Sequence, residues 1–390
     1  MKSMVKMSSK LKQKVKKLKK EVKRKELKLK KKKSKSKLQP VNYQQLIKHH
    51  LKILKNLQYK SGLFAASRKE VETGYDKAWL RDNFYTCLAF EVIGDWDTVE
   101  STYEAILKIF EKHEYKIDYA IQKKPEHPFQ YIHPRYHPET FDEFWEEWGN
   151  KQNDSIGAIL FKVGELVKLG RRILKTERDY KLIQKLVDYL KTLEYWHDPD
   201  SGMWEEDEEI HASSVGACVA GLEMVKDNIP QIDVPEWLIS NGKRILRDML
   251  PRESRSKFVD LALLSLIYPY NVVNPKERDE ILTNIEYHLL KKRGVIRYKN
   301  DHYYNKNPDG YSEEAEWTFG LSWLAIIYQK LGKKGKAEKY LKKALATVTE
   351  IGEPELYFSN SPKFNENVPL SWAESMLIVA LYYVNKKIVG

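Results

Sequence analysis

Two stretches of this 390-residue chain set carboxylates beside aromatic rings: Trp204-Glu205-Glu206 and Pro354-Glu355-Leu356-Tyr357. Such a pair suits acid–base chemistry. Cleavage of a glycosidic bond needs one protonated carboxyl to donate to the leaving oxygen and one carboxylate to activate water or attack. Trp204 can exclude water from Glu205, and Glu206 adds like-charge repulsion. Both effects raise a carboxyl pKa toward what an acid working near neutrality needs. The run continues as Asp207-Glu208-Glu209, so a solvated acidic loop is the plainer reading of composition alone. A lone Glu in a loop, as at 355, is equally ordinary by itself.

Other residues of the right type accompany them. Trp79-Leu80-Arg81-Asp82 opens an apolar run. Asp82 there reads either as a capping partner or, with Arg81, as a pair facing sugar hydroxyls. Arg297-Tyr298, before Asp301, reads the same two ways, and a buried Arg297 can orient Glu206 or a substrate. Trp148 and Asp154 flank a further loop, as packing and capping residues or as parts of a site. Neither GxxxxGK[ST], GxGxxG nor HExxH occurs. The histidines show no ligand spacing, and His133-Pro and His137-Pro suit a rigid loop. No metal or organic cofactor is expected.

These residues need elements to position them. From residue 41 onward the hydrophobic pattern is helical, and two kinds of helix alternate. One-faced helices are predicted near 42–58, 97–112, 176–194, 236–250, 274–291 and 334–349. Helices apolar nearly all round are predicted near 78–93, 153–169, 211–226, 257–267, 315–331 and 370–385. The second kind start 46 to 75 residues apart, too uneven for a solenoid. Six half-buried and six buried helices in alternation suit an all-α, closed (α/α)6 barrel, one domain over 41–390. In such a barrel every outer-to-inner connection lies at the same end. The aromatic, acidic and Arg-rich segments fall in those connections, so one rim gathers them.

The net charge of +13 belongs to the N-terminus. Residues 1–38 hold 19 Lys+Arg and 2 Glu, and the rest of the chain is slightly acidic. This argues against a body that binds nucleic acid through a broad basic face. Residues 1–40 read as a disordered or transiently helical Lys-rich tail able to touch anionic surfaces. No run of 18 apolar residues or secretory signal is present. Cys87 and Cys218 sit in apolar runs and read as buried thiols. A cytoplasmic setting is expected.

At these residues the sequence resembles glycoside hydrolase family 15, the glucoamylases, and their relatives, the α and β regulatory subunits of phosphorylase kinase. The resemblance covers roughly 60–385 and rests on five ordered motifs: WxRD at 79–82, WGxxQxD at 148–154, PDSGxWE at 199–205, RYxxDxYYNxNP at 297–308 and PELY at 354–357. It implies an (α/α)6 barrel and an inverting, exo-acting α-glucan hydrolase. Glu205 then matches the general acid and Glu355 the general base. Arg81, Asp82, Glu206 and Arg297 match residues that hold the sugar, and Trp148 an aromatic shaping the subsite. Trp79, Asp154 and Trp204 are expected beside them. Hydrolases of the family usually carry Gln after the base, where this chain has Leu356. AWLRDNFYT at 78–86 and PELYF at 354–358 look nearer the kinase-subunit branch. The alternatives are therefore a glucan-binding regulatory protein with little or no turnover, or an α-glucosidase for another sugar such as trehalose.

Overall fold

The structure is a computed structural model that describes residues 42–146, 149–305 and 313–385. The Lys-rich tail and Trp148 lie outside the described residues. Contacts within the chain divide it between Tyr43 and Gln44, and the barrel belongs to the larger unit.

The architecture is an (α/α)6 barrel. Its outer helices are α1 (Tyr43–Asn56), α3 (Trp96–Lys112), α6 (Glu177–Leu193), α8 (Glu236–Met249), α10 (Pro275–His288) and α12 (Lys334–Leu345). Each buries one stripe; in α6 that stripe runs from Leu182 through Leu186 and Leu190 to Leu193. The inner helices are α2 (Leu80–Ile93), α5 (Asn153–Lys168), α7 (Ala212–Asn228), α9 (Leu264–Ile267), α11 (Phe319–Lys330) and α13 (Ser371–Asn385). Their apolar residues face inward and outward alike, so both surfaces must be covered. The ring closes where α13 packs against α2 on one side and α11 on the other. A short additional helix, α4 (Glu114–Gln122), follows α3 after a break at His113.

Local chemistry fixes the ends. Thr176 and Asp179 form a capping box at the start of α6, and Asn274 and Glu277 form one at α10, where Pro275 fills the first turn. Gly94 ends α2 in the left-handed conformation, φ 79°. Inner helices α5 and α7 approach unusually closely. A Cβ on Gly157 would stand 2.5 Å from the Ala217 carbonyl carbon, and one on Gly221 would run into the Gly157 carbonyl oxygen. Glycine at both positions lets the backbones meet.

Several inner helices start later than periodicity predicts, because their first residues extend into rim strands. Strand β1 (Ala78–Trp79) pairs antiparallel with β2 (Arg135–Tyr136), Trp79 opposite Arg135. Strand β3 (Glu316–Trp317) pairs antiparallel with β4 (Leu356–Tyr357), Trp317 opposite Leu356. The predicted helix at 257–267 is cut shorter. Asp260 bridges to Tyr298, its side chain caps a 3-10 turn at Leu261–Leu263, and Pro269 ends the segment soon after. No helix among the described residues is long and apolar enough to cross a membrane.

Candidate active site

Four of the outer-to-inner connections, α1–α2, α6–α7, α10–α11 and α12–α13, deliver side chains to one site. A cavity of about 450 Å³ lies there, walled by Trp79, Arg81, Asp82, Trp204, Glu205 and Glu206 on one part and Arg297, Tyr303, Trp317, Glu355 and Trp372 on the other. Trp372 backs it. Its indole stacks on Tyr85 at 4.2 Å and on Phe319 at 4.7 Å between ring centroids. Such pairs contribute about 0.5–1.5 kcal/mol each beyond burial, so the aromatic wall is part of the inner core and is rigid for that reason.

Arg81, in the first turn of α2, anchors the first acidic group. One guanidinium nitrogen donates to Glu205 Oε1 at 2.9 Å. The other meets Gln152 Oε1 at 2.8 Å and Asp154 Oδ2 at 3.1 Å. Asp154 is buried and stands behind Arg81 rather than on the cavity wall. Glu205 itself has φ 61°, a conformation uncommon for a residue with a Cβ and costly unless its surroundings enforce it. The preceding loop supplies that enforcement. Glu206 N–H donates to the Ser201 carbonyl at 3.0 Å, and Asp200 pairs with Glu209 through two backbone bonds of 2.8 and 3.0 Å.

Glu206 belongs to a second cluster. Its Oε1 accepts from Arg297 at 2.6 Å, and its Oε2 accepts from the Tyr298 hydroxyl at 2.6 Å and Lys257 Nζ at 2.9 Å. Burial pushes this carboxyl up, but Arg297, Lys257 and Tyr298 outweigh it, and the net effect is a lowered pKa. Glu206 is therefore a fixed anion. Arg297 is held in turn by Asp301, with bonds of 2.7 and 2.6 Å. Its guanidinium lies 4.8 Å from the Trp317 ring centroid and 5.3 Å from that of Trp204, a cation–π setting that Lys could not reproduce with the same fork geometry. Trp204 directs its indole N–H to Asp260 Oδ1 at 2.8 Å.

Among the described residues the hydrogen-bond partners of the Glu355 side chain are uncharged. Oε2 accepts from Asn365 Nδ2 at 2.5 Å and Asn367 Nδ2 at 2.8 Å, and Oε1 accepts from the Tyr75 hydroxyl at 3.1 Å. The Thr73 hydroxyl meets Asn367 Oδ1 at 2.6 Å, which turns the Asn367 amide so that its nitrogen faces Glu355. Burial raises the Glu355 pKa, with Asn367, Asn365 and Tyr75 opposing. A carboxylate raised in this way is a stronger base than a solvated one. Asp82 is pushed up to about 7, first by burial, with Arg81 pulling down and Glu205 and Glu355 adding repulsion.

Of the residues the sequence singled out, Trp79, Arg81, Asp82, Trp204, Glu205, Glu206, Arg297 and Glu355 meet at this cavity. Tyr75, Lys257, Asn365 and Asn367 were missed. Tyr75 lies shortly before WxRD and Lys257 outside all five motifs, and nothing in their spacing shows which carboxylate they reach. Among the described residues no group of three or more His, Cys, Asp or Glu could hold a metal ion.

A six-hairpin barrel with paired carboxylates in an aromatic rim cavity is glycosidase-like architecture. Residues 41–233 match the model for glycosyl hydrolases family 15, a stretch that takes in the WxRD, WGxxQxD and PDSGxWE motifs and ends before the other two. A probable phosphorylase b kinase regulatory subunit alpha from Caenorhabditis elegans is 26% identical over 378 residues, covering 78% of this chain and 30% of that protein. An uncharacterized glycosyl hydrolase from Methanocaldococcus jannaschii is 26% identical over 274 residues, covering 61% of this chain and 43% of that one. The chain thus aligns with less than half of either relative. In fold it is similar to a solved glycosidase, with TM-score 0.74 at 19% identity, covering 88% of this chain and 96% of that one. It is also similar to a bacterial glucoamylase complexed with acarbose, with TM-score 0.64 at 16% identity, covering 86% and 55%.

Proposed function

We propose that the chain is an exo-acting α-glucan hydrolase that releases glucose from chain ends with inversion. The carrying observation is that Glu205 and Glu355, from different rim loops, wall one cavity in different environments. Glu205 is tied to a guanidinium, whereas Glu355 is cradled by two amides and a phenol.

In this reading Glu205 donates its proton to the glycosidic oxygen as the bond to the anomeric carbon breaks. Glu355 takes a proton from the water that attacks that carbon from the opposite face. Inversion needs roughly 6.5–9.5 Å between the carboxyls to admit the water. Arg81 positions Glu205, and the anionic Glu206, Arg297 and Asp82 bind hydroxyls of the terminal sugar. Stacking on Trp79 and Trp317 covers its apolar faces. A cavity backed by the Trp372 stack suits a chain end better than a chain interior.

A second reading is a glucan-binding regulatory protein. The match to phosphorylase kinase regulatory subunits supports it, as does Leu356, which is 0% exposed in β4 next to the base. Glucose release from maltotriose and glycogen, wild type beside Glu205→Gln, separates the two. Release by wild type that is lost in the variant supports the hydrolase. Glucan binding with no release above the variant supports the regulatory reading.

A further inference from the structure

The segment between α3 and α5 builds a second cavity, of about 700 Å³, outside the catalytic one. This volume is within the range of small-ligand sites. Its wall includes His113, Phe129, His133, Trp145, Glu146 and Asn150. Trp145 is fully exposed at 102%, and Phe129 and the neighbouring Tyr115 are exposed at 66% and 65%. Three bare aromatic rings around one hollow are an unusual use of surface.

Each carboxylate around this hollow is paired with a cation. Lys116 holds Glu143 at 2.8 Å, Lys112 holds Asp142 at 2.5 Å, and Glu146 is taken by Arg135 at 2.6 Å and Lys77 at 3.3 Å. An ionic ligand would find no unpaired carboxylate in these clusters, which hold four cations against three anions. What is left over is neutral hydrogen-bonding capacity. The His133 Nδ1 accepts the Arg135 N–H at 3.1 Å. Burial, with Lys116 and Arg135 nearby, drives the pKa of His133 down to about 3, so the ring is neutral and its proton sits on Nε2. Among the described residues that buried Nε2–H has no hydrogen-bond partner, and neither has the Asn150 Oδ1 acceptor. The two residues are only 2% and 8% exposed. Buried polar groups are normally paired, and here an orphan donor and an orphan acceptor belong to the wall of the same hollow. Hydroxyl groups both donate and accept, so a ligand rich in them supplies the partner each lacks.

Exposed aromatic faces, carboxylates already paired with cations, and unpaired neutral donors and acceptors describe a surface for a neutral polyhydroxylated ligand. We infer that this cavity is a second saccharide-binding site, taking a segment of the same α-glucan away from the reacting end. The choice of α-glucan rests on the proposed function. The Arg135 side chain touches on the lining of both sites. The Arg135 guanidinium lies 5.7 Å from the Trp79 ring centroid and 5.5 Å from that of Phe144. Trp79 lines the catalytic cavity and Phe144 the second one. A branched or long glucan could then be held by one arm while another is cleaved.

The test is glycogen affinity by native gel electrophoresis, using the full chain with Glu205→Gln so that the polymer is not consumed. Trp145→Ala and, separately, Asn150→Ala are added, and a thermal unfolding scan checks that each variant folds. Loss of one stacking ring is expected to weaken glycogen retention about tenfold. Asn150→Ala is expected to weaken it less. Unchanged retention in both variants, or no retention by the parent, would overturn the second site. Turnover of maltotriose by the chain with Glu205 intact is scored separately. Trp145-dependent retention in a chain without turnover keeps this site and defeats the hydrolase reading. Turnover with Trp145-independent retention does the reverse.

Discussion

Glu205 and Glu206 are neighbours in sequence, yet each is gripped by a guanidinium from a different hairpin: Glu205 by Arg81 at 2.9 Å, Glu206 by Arg297 at 2.6 Å. The left-handed backbone at Glu205 accompanies this divergence. One short turn thus supplies a candidate proton donor and a fixed anion to the same cavity. Glu205→Gln keeps the shape and can still accept from Arg81. It is expected to lower kcat by about 10²–10⁴-fold, the range of general acid catalysis, with the unfolding temperature held. Steady-state kinetics on maltotriose check this.

The base should reveal itself in pH dependence. Burial raises Glu355, while Asn367, Asn365 and Tyr75 stabilise its charged form. A base must be deprotonated, so activity falls as pH drops through this raised pKa. Asn367→Ala removes a donor to the anion, which raises the pKa further. The acid limb of kcat/KM against pH is therefore expected to move to higher pH. An unmoved limb would remove Glu355 from this role.

Arg297 ties Glu206 to Asp301 and lies against aromatic rings. Asp301 is almost wholly buried. Arg297→Ala takes away its cation and leaves the buried charge with the Tyr303 N–H, which is expected to cost about 3–5 kcal/mol in stability. Urea unfolding reads that loss. Arg297→Lys keeps a charge but loses the fork, and is expected to raise KM.

Asp82 gives a stability signature. With its pKa raised to about 7, the native state holds a proton that the unfolded chain gives up near pH 4. Its stabilising contribution is complete below the unfolded value and is lost as pH rises through about 7. Asp82→Asn is never charged. Relative to wild type it is expected to gain roughly 2–5 °C in Tm between pH 4 and pH 8. A difference independent of pH would contradict this placement of the carboxyl.

Glycine tests the packing of the barrel. Gly221→Ala forces apart α5 and α7, where the Gly157 carbonyl blocks the new methyl, and should cost about 1–3 kcal/mol. Gly335, in α12 with nothing within 4 Å of its added Cβ, should gain roughly 0.5–1 kcal/mol as Ala. The two scans together separate close approach from helix propensity.

The alternation of one-faced and all-round apolar helices was legible because it follows from which surfaces must be buried. Its failures are local. Helix α4 carries only Lys116, Ile117 and Ala120 as buried residues, too few for a periodic signal. The segment at 257–267 has an apolar pattern, yet Asp260 is drawn into a bridge with Tyr298, a partner nearly forty residues away. At the site, carboxylates and Arg were legible by type. The cradle of Glu355 was not, because an Asn amide becomes a donor to it only once Thr73 has fixed the orientation. The orphaned atoms of His133 and Asn150 are properties of packing and have no signature in the residues themselves.

The most direct test of the central claim follows the anomer of the first glucose released from maltotriose by NMR, before mutarotation. β-Glucose appearing first, and absent with Glu205→Gln, is the predicted result. α-Glucose appearing first would contradict it, because retention requires a nucleophile where the account places a water-activating base.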